Sequence, residues 1–264
     1  MTENVAASTS SRSTPGSYFN YSHLAKSPSG DPLAQTTGMT SLLVRTSFQR
    51  LEWYTNQMLR VNDRRVIAAQ ATQRAIVETA ARLFINRGYH AATLGEIARE
   101  AGVAIQTIYN SIGSKRDVLS KVLDYAAAGE HAPTPAPTFV LAQAEQEPDA
   151  RKSLDQLVDF WRESRPRTAP FYKLLRQAAA VDDEMAELER TRAEQRLRSY
   201  RSGASLFAKR GALRDGLSLD DAAALIYATG HPDVYRFLVI EGQWTGDQWA
   251  TWVRSTLEAG LLAP

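Results

Sequence analysis

The chain has 264 residues, 44% of them hydrophobic, and its 31 Lys and Arg nearly balance 29 Asp and Glu, for a net charge of +2. That length suits two compact units and a tail, and the absence of cysteine excludes disulfides and thiolate-bound metal. No stretch has the length and apolarity of a membrane span, the N-terminus lacks the features of a secretory signal, and His23, His90, His131 and His231 lack ligand spacing. A cytoplasmic protein without metal or other cofactor is therefore expected.

Residues 1–38 are rich in Ser, Thr, Pro, Gly and Ala, the composition of a disordered tail. In 41–61, Val44, Phe48, Leu51 and Met58 lie near one helical face, but Thr55 interrupts the stripe. Residues 1–63 are thus read as a disordered or weakly helical extension, within which Met39 and Met58 are alternative translation starts. From Ala68 the pattern is regular: Thr72 is a candidate N-cap, Ile76, Ala80, Leu83 and Phe84 repeat at helical spacing, and Arg87-Gly88 is a stop signal. Arg64, Arg65 and Arg74, at or before this helix's start, suit either a flexible basic arm reaching DNA or solvated helix-end charge.

The chain is organised around Thr93 to Leu119. Thr93 and Glu96 have the spacing of a capping box, and Leu94, Ile97, Ala98 and Ala101 form one helical face. Gly102 supplies the left-handed stop, Val103 plugs the turn, and Ile105 to Ile112 forms a second short helix. Two short helices about a Gly-containing turn make a helix-turn-helix, whose second helix enters the DNA major groove. Ser114 and Asp117 form a second capping box, opening a helix through Val118, Leu119, Val122 and Leu123. Lys115 and Arg116 in its first turn oppose the helix dipole, a placement that makes sense if a phosphate sits there.

Charge distribution agrees. Residues 64–121 hold nine Lys and Arg against four Asp and Glu, whereas 122–264 hold seventeen against twenty-one. The basic excess sits on the helix-turn-helix, as expected of a nucleic-acid module joined to a non-binding domain. In the second helix, the amides of Gln106 and Asn110 suit paired bonds to adenine, Thr107 suits a phosphate or thymine methyl, Tyr109 a phosphate and Ile105 an apolar contact. Ile108 and Ile112 are assigned to the core.

These segments resemble the DNA-binding domain of the tetracycline-repressor (TetR) family of bacterial regulators. The resemblance rests on Ala80–Tyr89, Thr93, Glu96–Ala104, Thr107–Ile112 and Ser114–Leu119. The chain departs from the family's pattern at Ala104, where a Ser cap is usual, at Ser111, where Tyr or His often contacts phosphate, and at Ile112, where Phe packs. The candidate DNA contacts are Thr93, Ile105, Gln106, Thr107, Tyr109, Asn110 and Lys115.

Four prolines within 127–150 preclude a straight helix there, which places a linker at about 126–137. Beyond it, Leu154, Leu157, Val158 and Trp161 form one stripe, broken by Pro166 and Pro170, and Phe171, Leu174, Leu175, Ala178 and Ala179 form the next. A long helix spans Asp182 to Arg210, with Met185, Leu188, Leu197, Tyr200, Ala204 and Phe207 inward. Ser218 opens another, His231-Pro232 interrupts it, and Thr245 to Gln248 caps the last, which bears Trp249, Trp252, Val253, Leu257 and Leu261. Strand-like alternation is absent. The expected fold is all-α: a three-helix DNA-binding domain at 64–125 and a larger helical bundle at 126–264 for ligand binding and dimerisation. The last helix's apolar surface looks wider than one core stripe, so 218–262 is the expected dimer interface, and 231–253 resembles C-terminal helices of actinobacterial members. Trp161, Phe171, Tyr200 and Tyr227 are candidate ligand contacts.

No Gly-rich phosphate loop, nucleophile arrangement or metal spacing points to catalysis, so no catalytic residue is assigned. The resemblance implies a homodimeric repressor bound to a palindromic operator and released by a small-molecule ligand. The alternative is a helical adaptor with a degenerate helix-turn-helix that binds a protein partner, which the departures at Ala104 and Ser111 keep open.

Overall fold

The computed structural model describes residues 64–263, so the expectations for 1–63 lie outside the described residues. Helix α1 occupies 64–87, and Arg64 and Arg65 are already helical, which replaces the flexible arm with regular backbone. Thr72 is likewise no cap: its hydroxyl donates to Ala68 O (2.9 Å) in the helix interior. Arg74 points away from any arm, donating from NH2 to Ala132 O (3.1 Å).

The next three helices are α2 (Leu94–Glu100), α3 (Ile105–Ser111) and α4 (Lys115–Ala128). Both capping boxes form, Thr93 with Glu96 and Ser114 with Asp117. Gly102 sits at φ 68°, which only glycine adopts cheaply, and the following Val103 N–H returns to Ala98 O (3.0 Å). Ala104 provides no side-chain cap for α3, whereas Ile112 is partly buried against the core, so its departure from the family pattern is absorbed by packing.

The remaining helices are α5 (Ala136–Gln146), α6 (Ala150–Ala179), α7 (Asp183–Lys209), α8 (Leu219–Thr229), the one-turn α9 (Pro232–Tyr235), which runs into a π-helical turn at Arg236–Glu241, and α10 (Gly246–Leu261). Among the described residues there is no strand, only an isolated bridge between Leu213 and Leu262. No helix among them is long and apolar enough to cross a membrane.

Two expectations fail on proline. Pro137 lies in the first turn of α5, where its missing N–H costs nothing, so a helix begins inside the expected linker. Helix α6 runs unbroken for 30 residues through Pro166 and Pro170. Pro166 is exposed and Pro170 half-exposed, so the two missing amide donors fall on the outer face of the helix. The opposite face is held by burial of Ser164, Arg165, Thr168 and Ala169.

That buried face of α6 joins two hydrophobic cores. Its C-terminal half contributes Phe171, Leu175 and Ala178 to a core with α1, α2, Ile108 of α3, α4, and Met185 and Leu188 of α7. Its N-terminal half contributes Leu154, Val158 and Trp161 to a second core with Ala204 and Phe207 of α7 and with α8 and α10. Helix α7 therefore runs antiparallel to α6 and also serves both cores. Leu197, expected inward, is 44% exposed.

Trp249, Val253, Leu257 and Leu261 are completely buried in the second core, so the apolar face of α10 is spent within the chain and is not a free association surface. What stays uncovered is a different set: Phe237 and Ile240 on the π turn, 50% and 58% exposed, and Trp252, 37% exposed.

Helices α8 and α6 approach closely at Gly230, where an added Cβ would lie 2.3 Å from the Trp161 ring. Trp161 is itself buried, and its ring is held edge to face against Tyr200. Gly230→Ala is expected to destabilise the fold by about 1–3 kcal/mol through overpacking, read as a lower urea midpoint at unchanged slope.

Candidate nucleic-acid interface and internal cavity

Helix α3 buries Ile108 and leaves Ile105, Gln106, Tyr109 and Asn110 exposed on one face, with Thr107 half-buried beside them. Spacing i, i+1, i+4, i+5 makes that face continuous. Gln106 Nε2 donates to Asn110 Oδ1 at 2.9 Å, so the two amides are aligned side by side on the surface. The Thr93 side chain is exposed, with its Oγ1 accepting the Glu96 N–H (3.2 Å). The reciprocal bond from Thr93 N–H, with Arg87 nearby, holds the Glu96 carboxyl below the usual range. The Ser111 hydroxyl turns inward along the helix to Thr107 O (2.6 Å).

Lys115, first residue of α4, is half-buried. Its Nζ donates to His90 O (3.1 Å) and lies 4.6 Å from the centre of the Tyr89 ring. Burial lowers its pKa, opposed by Asp182. Burial also pushes the Tyr89 phenol up to about 12, keeping it neutral beneath the ammonium. A carbonyl and a ring face thus offset the unfavourable helix dipole. One of the three ammonium donors is used by His90, leaving two.

A cavity of about 530 Å³ lies among α4, α5, α6, α7 and the Ile226 position of α8. Trp161 and Tyr200 are on its wall, packed edge to face with ring centres 5.6 Å apart. Phe171 is not: the turn of α6 that carries it faces the first core. Tyr227 is also off the wall, one layer behind, edge to face with Tyr200 and accepting a bond from Arg196 NH2 (3.2 Å). Reading aromatics as a lining missed the charged part of the wall, including Arg165 and Arg196. Arg165 is 5% exposed, donating from Nε to Gly230 O (2.8 Å) and from NH2 to Tyr200 OH (3.1 Å). Its interior position on the buried stripe of α6, four residues after Trp161, was the available signal.

Fold and surface define a class: a helix-turn-helix unit carried on a helical body with a cavity. The sequence comparison specifies it further. Residues 76–122 match the sequence model of the bacterial regulatory proteins of the tetR family, so the chain carries the DNA-binding domain of the TetR regulators. Solved structures extend the likeness to the whole fold. NalD, the secondary repressor of the MexAB-OprM multidrug efflux pump in Pseudomonas aeruginosa, is 20% identical over 74% of this chain and 98% of its own, with a TM-score of 0.56. The fatty acid degradation regulator FadR from Bacillus halodurans is 21% identical over 72% and 95%, with a TM-score of 0.58. The SmeT–triclosan complex is 17% identical over 74% and 93%, with a TM-score of 0.54. Among curated proteins, no match was found.

Behind the cavity, His231 caps α9 by accepting the Asp233 N–H at Nδ1 (3.1 Å). Burial, then the adjacent Arg196 guanidinium, pushes its pKa down to about 4, with Arg176 and Arg165 adding to the effect and Asp233 opposing it. The folded pKa lies below the unfolded value, so the unfolded chain takes up the proton first as pH falls. This contribution to stability is complete above the ordinary histidine pKa of about 6.5 and is lost as pH falls towards about 4. His231→Asn keeps a capping side chain and is expected to remove about 2 kcal/mol of the acid-side loss between pH 7 and 4.5. Parallel urea titrations of the two proteins at both pH values measure it; equal losses would refute it.

Proposed function

We propose that the chain is a homodimeric transcriptional repressor that binds a palindromic operator and is released by a small-molecule ligand. Residues 64–125 form the DNA-binding domain and 126–264 the ligand-binding and dimerisation domain. The observation that carries this reading is the wall shared between cavity and DNA-binding unit. Leu123, Asp124 and Ala127 of α4 line the cavity, and the same helix begins at Lys115 beside the recognition helix α3. Arg192 of α7 binds Asp124 and Ser120, tying this helix to the body. A ligand that fits only when α4 has shifted binds the released state better, which is the thermodynamic requirement for induction. A protein of the same fold, SmeT, is known in complex with triclosan, and NalD is a repressor.

On DNA, α3 enters the major groove, with Gln106 and Asn110 exchanging their mutual hydrogen bond for base edges and Ile105, Thr107 and Tyr109 flanking them. Thr93 and Lys115 contact the phosphates on either side. Nothing in this arrangement needs a catalytic residue or a cofactor. With DNA flanking its own gene, Lys115→Ala is expected to weaken all sequences alike and to lower the salt slope by about one. Asn110→Ala is expected to cost about 1–3 kcal/mol on the operator only. A wild-type protein that binds no duplex at low salt would leave the adaptor reading standing.

Two-fold pairing sets the recognition helices about one DNA turn, ~34–36 Å, apart. The surface proposed for it is the exposed set Phe237, Ile240 and Trp252, with Trp244 packed edge to face on Trp252. Replacing Phe237 and Ile240 together by Glu is expected to give a monomer of native helicity that no longer holds the operator at physiological salt. A double variant that sediments as a dimer places the interface elsewhere.

A further inference from the structure

The cavity wall carries five arginines, Arg165, Arg192, Arg196, Arg198 and Arg210, and a single carboxylate, Asp124. Asp124 is already taken by Arg192, and Arg198 pairs outside with Glu194. Arg210 is satisfied by neutral groups, Ser153 Oγ and Ala144 O. Arg165, almost wholly buried, bonds only to a carbonyl and a phenol and lies 5.1 Å from the centre of the Trp161 ring. None of Arg165, Arg196 and Arg210 has a carboxylate within ion-pair distance among the described residues.

Arg196 is the least satisfied. Its guanidinium lies over the Tyr172 ring at 4.5 Å, and its Nε and NH1 are buried without any hydrogen-bond partner. Its NH2 reaches Tyr227 OH and stands 3.4 Å from His231 Nε2. The second contact gives nothing: His231 Nδ1 accepts the Asp233 N–H, so the neutral ring carries its proton on Nε2, and donor faces donor. Burial works against the charge, yet Tyr172 and Tyr227 together hold the Arg196 pKa above its ordinary value. The guanidinium therefore stays charged, out of water and without an anion, an arrangement that costs stability unless something else repays it. Leu141, Leu157, Phe160, Leu206 and Phe207 supply the apolar part of the wall, beside neutral polar side chains such as Gln156, Gln195 and Ser202.

We propose that the cavity selects an anionic amphiphile, an organic acid whose carboxylate or comparable oxyanion is bound by Arg196 and Arg165 while its apolar body fills the space against α5. This rests on the reading of the cavity as an effector site and names the chemical class of the effector. The planar guanidinium matches a carboxylate in two-point geometry, and the tyrosine faces that now cover Arg196 keep it ready for one. Neutral compounds of the same body leave the arginines unpaired, and cationic ones meet them as like charges.

The test uses two bodies, aromatic and alkyl, each with three heads: naphthylacetate, naphthylethanol and naphthylethylamine, and decanoate, decanol and decylamine. Calorimetric titration of the whole protein is expected to rank carboxylate above alcohol by roughly ten- to hundredfold, with the amine weakest. Arg196→Met is expected to erase the carboxylate's advantage and leave alcohol binding unchanged. Its melting temperature should hold or rise, since an unpaired buried charge is removed; a merely structural arginine would lower it. Alcohols or amines binding as tightly as carboxylates, or an Arg196→Met protein that keeps the preference, would overturn the inference while sparing the effector reading. If neither body binds with any head at millimolar concentration, the effector reading itself falls.

Discussion

Burial of one face of α6 governs both ends of the molecule. Leu154, Val158 and Trp161 are anchored among α7, α8 and α10, while Phe171, Leu175 and Ala178 are packed among α1, α2 and α4. A helix of 30 residues is about 45 Å long and stiff over that distance. The helix-turn-helix therefore does not hang from the body on a tether: its core is completed by residues of the body, Phe171, Leu175, Met185 and Leu188. Displacing α4 must repack that shared core, which favours discrete alternative arrangements over continuous drift.

The same helix shows why polar groups gather at the cavity. Between its two apolar segments lie Ser164, Arg165 and Thr168, all buried. Thr168 is satisfied within the helix by Ser164 O (3.0 Å), and Arg165 reaches across to the end of α8 at Gly230. With no side chain on Gly230, the Trp161 ring packs directly against it, and Arg165, one turn further along α6, reaches its carbonyl.

What the sequence made legible was local. Thr93 with Glu96, Ser114 with Asp117, Asp182, Ser218 and Thr245 all mark helix starts, because a cap is a bond between neighbours and needs no tertiary partner. Helix α3 has no such cap and was placed instead by its neighbours, the left-handed Gly102 before it and the Ser114 box after it. The failures came where distant contacts override local cost. Pro166 and Pro170 should have ended a helix, but the packing of its other face maintains it. Leu257 has the pattern of an association surface until α6 and α8 are seen to pack over α10. Phe171 and Trp161, ten residues apart on one helix, could not be assigned to different cores from periodicity alone. Arg196 was invisible because an arginine in sequence is ordinarily a solvated charge, and Arg165 was passed over for the same reason despite its place on the buried stripe of α6.

The division of contacts also sets an order of assembly on the ribosome. The first core is closed by residues between Ile76 and Leu188, so it can consolidate while the last quarter of the chain is still being made. The second core cannot, because Trp249, Val253, Leu257 and Leu261 fill its centre and Leu262 seals its edge. Until α10 emerges, Leu154, Val158 and Phe207 have only α7, α8 and the short α9 to pack against. The nascent chain is thus committed early to a formed helix-turn-helix unit, and the span most in need of chaperone protection is the half-built body behind it.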